Sequence, residues 1–181
     1  MRVISGTLKG RVIKGYDIEG TRPTMDRVKE SLFAIIQNKI KDAICLDLFA
    51  GSGNLGIESI SNGSKYCYLN DINRNCIKVI NENVKTFNIQ DKVQIINKKW
   101  EDCLKYLKEQ DVKLDLIFLD PPYKDECLNN VIEKITNYNL LNNNGLIICE
   151  VSSNYINEFD NPEELTTRKY GDKTVIILKN K

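Results

Sequence analysis

From residue 43 onward, short and nearly continuous apolar runs alternate with longer stretches in which apolar residues recur at every third or fourth position. The short runs predict strands that are buried on both faces, and the longer stretches predict amphipathic helices. This alternation predicts an α/β fold, a mostly parallel sheet with helices on both faces. The predicted strands are Ala43–Leu48, Tyr66–Leu69, Val93–Ile96, Leu114–Leu119, Gly145–Cys149 and Thr174–Leu178, and the helices include Asn73–Phe87 and Asp125–Asn137.

The two ends of the chain depart from this alternation. No clear long helix is predicted between the last two strands, so the C-terminus is expected to be an antiparallel hairpin. The N-terminal residues predict two short strands, Arg2–Ile4 and Arg11–Ile13, around a Gly/Lys turn, followed by a helix. We therefore expect residues 1–40 to form an N-terminal extension, a small β-hairpin plus a helix, on a main domain of residues 41–181.

Charge is unevenly distributed along a chain whose formal net charge is only +1. Residues 1–30 hold seven Lys or Arg against four Asp or Glu, a net charge of +3 that leaves −2 for the rest of the chain. Positive charge confined to one segment is typical of contact with nucleic acid, although an ordinary solvated surface gives the same pattern.

The residue types that are missing exclude several classes of site. The chain has no histidine, and its six cysteines form no C-x-x-C pair, which excludes a common zinc site and a Cys–His nucleophile. No metal is therefore predicted. The N-terminus does not resemble a signal peptide, and no apolar run reaches the ~18 residues of a membrane span, so we expect a reduced, cytoplasmic protein without membrane contact.

The segment LDLFAGSGNLG, residues 46–56, leaves a predicted strand, opens a helix and matches G-x-G-x-x-G. Asp71 follows Gly51 by 20 residues, as in dinucleotide sites, and is expected to accept ribose hydroxyls. Asp47, however, lies inside the strand end, where a carboxylate repels pyrophosphate and suits a ligand with an ammonium group, such as the methionine part of S-adenosylmethionine. The alternative is that Asp47 only caps the amides of the loop.

A second motif, DPPY, comprises Asp120, Pro121, Pro122 and Tyr123 and follows a neighbouring predicted strand. The two prolines fix the turn and remove two amide donors, which leaves the carboxylate and a carbonyl as acceptors beside an aromatic ring. Such a group suits a planar exocyclic amine, whose N–H bonds the acceptors engage while the ring stacks on the base. An ordinary Pro-Pro turn is the alternative interpretation of DPPY alone.

Together, LDLFAGSG, the later Asp71 and DPPY resemble the class I S-adenosylmethionine-dependent amino-methyltransferases. The segments RVISGTLKGR, TRPTMDRVKESLF, GLIICE and KYGDKTVIIL narrow the resemblance to the bacterial 16S ribosomal RNA guanine-N2 methyltransferases of the RsmD type, over nearly the whole chain. The resemblance implies a seven-stranded Rossmann-like fold and S-adenosylmethionine as methyl donor. It also implies guanine 966 of 16S ribosomal RNA as the target, either in free RNA or in an assembled small-subunit particle. We expect the chain to be a monomer.

The resemblance also assigns roles to individual residues. Met25 stands where the family usually has Thr or Ser, and Lys99 stands where an Asp usually contacts the adenine amine, so Glu101, Asp102 or a carbonyl near Trp100 is expected to replace that contact. The predicted catalytic residues are those of DPPY. The predicted cofactor-binding residues are Asp47, Phe49, Ala50, Gly51, Ser52, Gly53, Asn54, Asp71, Ile72 and Trp100, and the predicted RNA-binding residues are Arg2, Lys9, Arg11, Arg22 and Arg27.

Three other functions share part of this pattern. A DNA adenine-N6 methyltransferase uses the same loop and DPPY, but usually carries a separate target-reading domain for which this chain has little room. A nicotinamide-dependent oxidoreductase shares the glycine loop, but Asp47 opposes its pyrophosphate and no proton-transfer residue for hydride chemistry is visible. An RNA-binding domain without activity would not need both motifs intact.

Overall fold

The computed structural model describes residues 1–15, 23–121, 127–152, 161–171 and 173–181. Its strands are β1 (Ile44–Asp47), β2 (Tyr66–Asn70), β3 (Val93–Ile96), β4 (Leu114–Leu119), β5 (Leu141–Ser152), β6 (Glu163–Tyr170) and β7 (Lys173–Lys179). Its helices are α1 (Pro23–Ile40), α2 (Asn54–Ser61), α3 (Arg74–Phe87), α4 (Trp100–Glu109) and α5 (Leu128–Asn137). None of these helices is long and apolar enough to cross a membrane.

The strands form one seven-stranded sheet with the order β3-β2-β1-β4-β5-β7-β6. Strands β1 to β5 are parallel, whereas β7 runs antiparallel to both β5 and β6. Because the chain moves outward from β1 in both directions, β1 and β4 flank the point where the strand order reverses. Ligands of open α/β sheets bind beyond the carboxyl ends of the strands at such a point.

Helices cover both faces of the sheet, and each face has its own hydrophobic cluster. Apolar residues of α1, α2 and α3 pack on one face, where the rings of Phe33 on α1 and Phe118 on β4 are stacked with centroids 5.9 Å apart. Residues of α4 and α5 pack on the other face against Leu46 and Ile117. Strand residues are therefore apolar on both sides, which explains the continuous apolar runs of the sequence.

Residues 1–15, here called the arm, lie against α2. Antiparallel bonding joins its two halves through a bridge between Arg2 and Val12, and a short 3-10 helix, Gly6–Leu8, forms the turn. Gly6 has a φ of 76°, and a Cβ built on it would lie 1.8 Å from the carbonyl oxygen of Ser61 on α2. Only glycine fits both this backbone conformation and this contact.

The fold prediction is confirmed, including the parallel core, the helices on both faces and the antiparallel C-terminal strands. Strand β7 runs antiparallel to β5 as predicted, and it forms a hairpin with β6, a strand that was not predicted. The hairpin of the arm contains one bridge rather than two full strands. Helix α3 begins one residue later than predicted because the side chain of Asn73 caps it, accepting a hydrogen bond from the backbone N–H of Asn75. The division between residues 40 and 41 stays a prediction, and α1 shares the hydrophobic cluster of the sheet.

Candidate active site

Three aspartates lie at the carboxyl ends of three adjacent strands. Asp47 is the last residue of β1, Asp71 follows β2, and Asp120 follows β4. The register places Asp47 beside Leu69 of β2 and beside Phe118 of β4, which are each two residues before the other aspartates. Because alternate residues of a strand share a face, the three carboxylates belong to the face that α1, α2 and α3 cover. We call this group the carboxylate edge.

The carboxylate edge concentrates negative charge in a site where Asp47 is buried and Asp71 and Asp120 are half-buried. Burial raises the pKa of the Asp47 carboxyl to about 7; the hydrogen bond from the Gly56 N–H opposes this rise, and the charges of Asp120 and Asp71 add to it. Burial also raises the pKa of Asp120, against the positive charge of Lys173. Among the described residues, no Lys or Arg forms an ion pair with any of the three carboxylates.

The glycine loop lies directly above this edge. Gly51 and Gly53 have φ angles of 57° and 82°, which other residues rarely adopt. A Cβ on Gly51 would meet no atom within 4 Å, so the loop leaves open space there, whereas a Cβ on Gly56 would lie 2.1 Å from Leu69. The third glycine of the motif therefore permits close packing of α2 on the sheet, and the first leaves room for a ligand.

Two of the predicted ligand-binding carboxylates also hold the loop in place. Asp71 accepts a hydrogen bond from the N–H of Gly51 at 2.8 Å through one oxygen and from the N–H of Asn73 at 2.8 Å through the other. Asp47 accepts from the N–H of Gly56 at 3.0 Å, so the capping role considered above is present. Its second oxygen has no hydrogen-bond partner among the described residues, and each oxygen of Asp71 retains a lone pair.

Four further side chains fix the loop. The amide of Asn83 on α3 donates to the Ser52 carbonyl at 3.0 Å, and Lys29 on α1 donates to Oδ1 of Asn54 at 2.8 Å. The other two are Asn70, whose amide bridges the carbonyls of Leu48 and Lys98, and Glu58, which pairs with Lys29.

These four residues were not predicted from the sequence. Asn83 is three positions after Ile80 and Lys29 four before Phe33, so both lie on apolar helix faces. A polar residue on such a face is a signal that could have revealed them. Asn70, which ends an apolar run beside Asp71, gives a similar signal, whereas nothing in the local sequence singles out Glu58.

The remaining predicted cofactor-binding residues differ in exposure. Ala50 and Ser52 are buried within the loop, Phe49 is half-buried, and Ile72 is 62% exposed directly after Asp71. Trp100 is the first residue of α4 and packs against the cluster of α4 and α5, with Nζ of Lys134 6.0 Å from its ring centre. The contacts of Trp100 are packing contacts, and its role in cofactor binding stays a prediction.

The structure describes only part of the DPPY motif. Asp120 and Pro121 are described, whereas Pro122 and Tyr123 lie outside the described residues, as does Arg22 of the predicted RNA-binding set. Lys99 is exposed immediately before α4, and its side chain does not cap the helix. The position of Tyr123 relative to the glycine loop stays a prediction.

The other predicted RNA-binding residues occupy different environments. Arg2, Lys9 and Arg27 are exposed. Arg11 is also exposed, but its guanidinium group lies 4.6 Å from the ring centre of Phe87 and donates to the carbonyl of Thr86 at 2.5 Å. That contact places a positive charge at the C-terminus of α3, where the helix dipole favours it. Arg11 therefore has a structural role in addition to any contact with RNA.

Comparison with known proteins identifies the family. A family model described as "Conserved hypothetical protein 95" matches residues 1–179. The ribosomal RNA small subunit methyltransferase D of Buchnera aphidicola subsp. Acyrthosiphon pisum (strain APS) is 37% identical over 148 residues, covering 82% of this chain and 76% of that protein. The chain belongs to the ribosomal RNA small subunit methyltransferase D family. The sequence-based assignment to this family is therefore confirmed.

Solved structures agree with this family assignment. The Escherichia coli protein yhhF superposes with a TM-score of 0.87 at 25% identity, covering 100% of this chain and 98% of that one. The methyltransferase structure SMU.776, which contains S-adenosylhomocysteine, has a TM-score of 0.71 at 14% identity and covers 86% of this chain and 49% of that one. The predicted methyltransferase fold is therefore confirmed.

Proposed function

We propose that the chain transfers a methyl group from S-adenosylmethionine to the exocyclic N2 amine of a guanine in 16S ribosomal RNA, with guanine 966 as the expected target. The observation that carries this proposal is the carboxylate edge, where Asp47 and Asp71 lie beside the glycine loop and Asp120 begins DPPY. Its three carboxylates lie at adjacent strand ends, which supports assigning Asp47 and Asp71 to a cationic nucleoside and Asp120 to an amine.

The residues at this edge fit a ligand that is both a nucleoside and a cation. Asp47 has a buried carboxylate with one uncommitted oxygen, and a bound ammonium group favours its ionised form. Asp71 holds the loop and still has lone pairs for two ribose hydroxyls. Ile72 offers an exposed apolar side chain for the adenine ring. When bound, S-adenosylmethionine supplies a methyl group on a positively charged sulfur.

Asp120 has the catalytic role in this proposal. Its carboxylate accepts a hydrogen bond from the exocyclic amine and then the proton that the amine releases as positive charge develops on nitrogen. Most of the rate enhancement comes from holding the reacting atoms ~3–3.5 Å apart and in line, so no metal is needed. A guanine inside a helix cannot reach the edge, and the target base must therefore be unpaired or flipped out.

Exposed basic residues of the arm and of α1 provide the contact with RNA. Arg2, Lys9 and Arg27 contact phosphates and orient the RNA without reading its sequence. The formal net charge of the chain is only +1, which gives a weak overall attraction for RNA, so we propose that an assembled small-subunit particle is a better substrate than free RNA. Comparing methyl incorporation into free 16S ribosomal RNA and into particles tests this part.

Mass spectrometry of ribosomal RNA from cells that lack the protein tests the main proposal. We expect one N2-methylguanine to disappear from 16S ribosomal RNA, to return with the wild-type chain and not to return with Asp120→Ala. Asp91→Ala, which removes an exposed aspartate at the amino end of β3 rather than at the carboxyl ends of the strands, is the matched control and restores the modification. An unchanged set of N2-methylguanines in the deletion strain would refute the assigned target.

Titration calorimetry separates the alternative functions. We expect the wild-type chain and Asp120→Ala to bind S-adenosylhomocysteine with similar affinity and neither to bind NAD. Binding of NAD alone would instead favour an oxidoreductase. Loss of N6-methyladenine from the DNA of the deletion strain, with unchanged ribosomal RNA, would favour the DNA adenine methyltransferase.

A further inference from the structure

Two charged residues of the C-terminal half reach the same edge of the sheet as Asp120. Leu119 of β4 lies beside Cys149 of β5, so the next residues, Asp120 and Glu150, are neighbours on one face. Glu150 lies opposite Val175 of β7, whose strand begins at Lys173 two residues earlier. This arrangement places Lys173 on the same face as Glu150 and Asp120.

Lys173 and Glu150 contact each other rather than Asp120. The Nζ atom of Lys173 forms an ion pair with Oε1 of Glu150, and the two side chains are 40% and 17% exposed. Asp120 forms no ion pair and accepts no hydrogen bond within the described part of the chain. Glu150 therefore holds the ammonium group close to Asp120 while both oxygens of Asp120 remain available to a ligand.

We propose that Glu150 and Lys173 are positioning residues for Asp120, a pair that keeps its carboxylate ionised without occupying its oxygens. This inference rests on the proposed function, in which ionised Asp120 accepts the N–H of the target amine. An ammonium group in direct contact with Asp120 would compete with that amine. Held on Glu150, it acts through space and leaves the acceptor free.

The other charged groups near Asp120 do not favour its ionised form. Asp47 on β1 is a second carboxylate, and the negative charge of Asp120 helps to raise the pKa of Asp47, so the two carboxylates do not favour being ionised together. The buried cation of α1, Lys29, is held by Glu58 and two other acceptors. Within the described residues, Lys173 is the cation that acts on Asp120, and its field opposes the effect of burial. Lys173 thus favours placing the negative charge on Asp120 rather than on Asp47.

The first experiment measures the ionisation of Asp120 without using activity. Carbon-13 NMR of the aspartate side-chain carboxyls gives the pKa of Asp120 in the free protein, with the signal assigned by Asp120→Asn. We expect Lys173→Met to raise this pKa and Lys173→Arg to leave it close to the wild-type value. Lys169→Met is the matched control, because Lys169 lies opposite Thr174 and belongs to the other face of the hairpin.

The second experiment measures the pH profile of single-turnover methyl transfer to small-subunit particles. We expect Lys173→Met to lower the rate about three- to tenfold on the acidic limb of the wild-type profile and only slightly on its alkaline plateau, because the lost charge moves the acidic limb to higher pH. Glu150→Gln, which releases the ammonium group, is expected to raise the KM for the particle more than it changes affinity for S-adenosylhomocysteine. Lys169→Met should reproduce the wild-type profile.

These measurements separate failure of the inference from failure of the proposed function. An unchanged pKa of Asp120 in Lys173→Met overturns the inference, whatever the activity. An equal loss of rate at every pH overturns it as well, because such a loss indicates a purely structural role. If the pKa shifts but the wild-type chain methylates no guanine, the electrostatic pair is supported and the proposed function is refuted.

Discussion

Helix α2 connects two polar regions, one in which the buried charges are paired and one in which they are not. Near its C-terminal half, Glu58 forms an ion pair with Lys29 of α1 at 2.8 Å, and their side chains are 0% and 2% exposed. Near its N-terminus, Gly56 donates to Asp47 of the carboxylate edge. The first region neutralises its charges and satisfies their hydrogen bonds, whereas the second gathers carboxylates that have no cationic partner among the described residues.

The Lys29–Glu58 pair joins three parts of the fold. Lys29 donates to the carbonyl of Arg2 at 2.6 Å and to Asn54 at 2.8 Å, in addition to Glu58. Glu58 also accepts the backbone N–H groups of Ile4 and Ser5. All three donors of the ammonium group are used, so the arm, α1 and the start of α2 are held together by one buried network.

Under the proposed function, the difference between these regions coincides with the place where the ligand binds. A buried charge is costly unless it is paired, and the first region contains its own partner. In the proposed function, a bound sulfonium nucleoside brings the positive charge that the carboxylate edge lacks. The stability of the first region should therefore not depend on a ligand, whereas the second should be unfavourable until one binds.

Removing Glu58 should produce the largest effect on stability. Glu58→Ala leaves the Lys29 ammonium group buried without a counter-ion and leaves the N–H groups of Ile4 and Ser5 without an acceptor. We expect a loss of about 3–5 kcal/mol in the free energy of unfolding, measured by urea denaturation at neutral pH.

A double variant tests whether the uncompensated charge causes this loss. Lys29→Met combined with Glu58→Gln removes both charges and keeps an amide acceptor for the arm, so it should recover at least half of the lost stability. A double variant that is as unstable as Glu58→Ala would show that the loss comes from the hydrogen bonds of Glu58 rather than from its charge.

The central strands and the glycine loop could be predicted because their signals are local. Apolar runs buried on both faces mark β1 to β4, and the spacing of Gly51, Gly53 and Gly56 marks the loop. Strand β6 could not be predicted, because it is an edge strand whose EELTTRKY sequence buries almost nothing and so lacks an apolar pattern. The Lys29–Glu58 and Glu150–Lys173 pairs depend on how distant elements pack, and no local sequence signal encodes that packing.

Replacing Asp47 should change the free energy of unfolding less than replacing Glu58 does, and it should stabilise the protein rather than destabilise it. The pKa of Asp47 rises from 3.8 to about 7 on folding. Between these values the folded chain holds a proton that the unfolded chain releases, so stability falls as pH rises from about 4 to about 7. Above pH 7 the folded protein bears the full free-energy cost of the buried, ionised Asp47 carboxylate. Asp47→Asn removes it while keeping an acceptor for Gly56, and should be about 2–4 kcal/mol more stable than the wild type near pH 8.

The pH dependence identifies the cause of this gain. Urea denaturation of ligand-free protein should show the advantage of Asp47→Asn shrinking as pH falls and disappearing near pH 4, while Asp91→Asn, an exposed control, tracks the wild type throughout. The same Asp47→Asn variant should bind S-adenosylhomocysteine more weakly by calorimetry. A variant that is less stable than the wild type near pH 8 would contradict the description of the edge as a site of uncompensated charge.

The smallest effect should come from a second ion pair that also holds the arm. Lys14 contacts Glu82 on α3 at 2.5 Å, but the two side chains are 63% and 55% exposed. Water and salt screen such a pair, so Glu82→Ala should cost less than about 1 kcal/mol, and the difference should vanish near 1 M salt. Urea denaturation of Glu82→Ala and Glu58→Ala at both salt concentrations therefore compares two contacts of the same arm that differ chiefly in burial. A loss for Glu82→Ala as large as that for Glu58→Ala would mean that docking of the arm, rather than burial of the charge, sets the energy of both pairs.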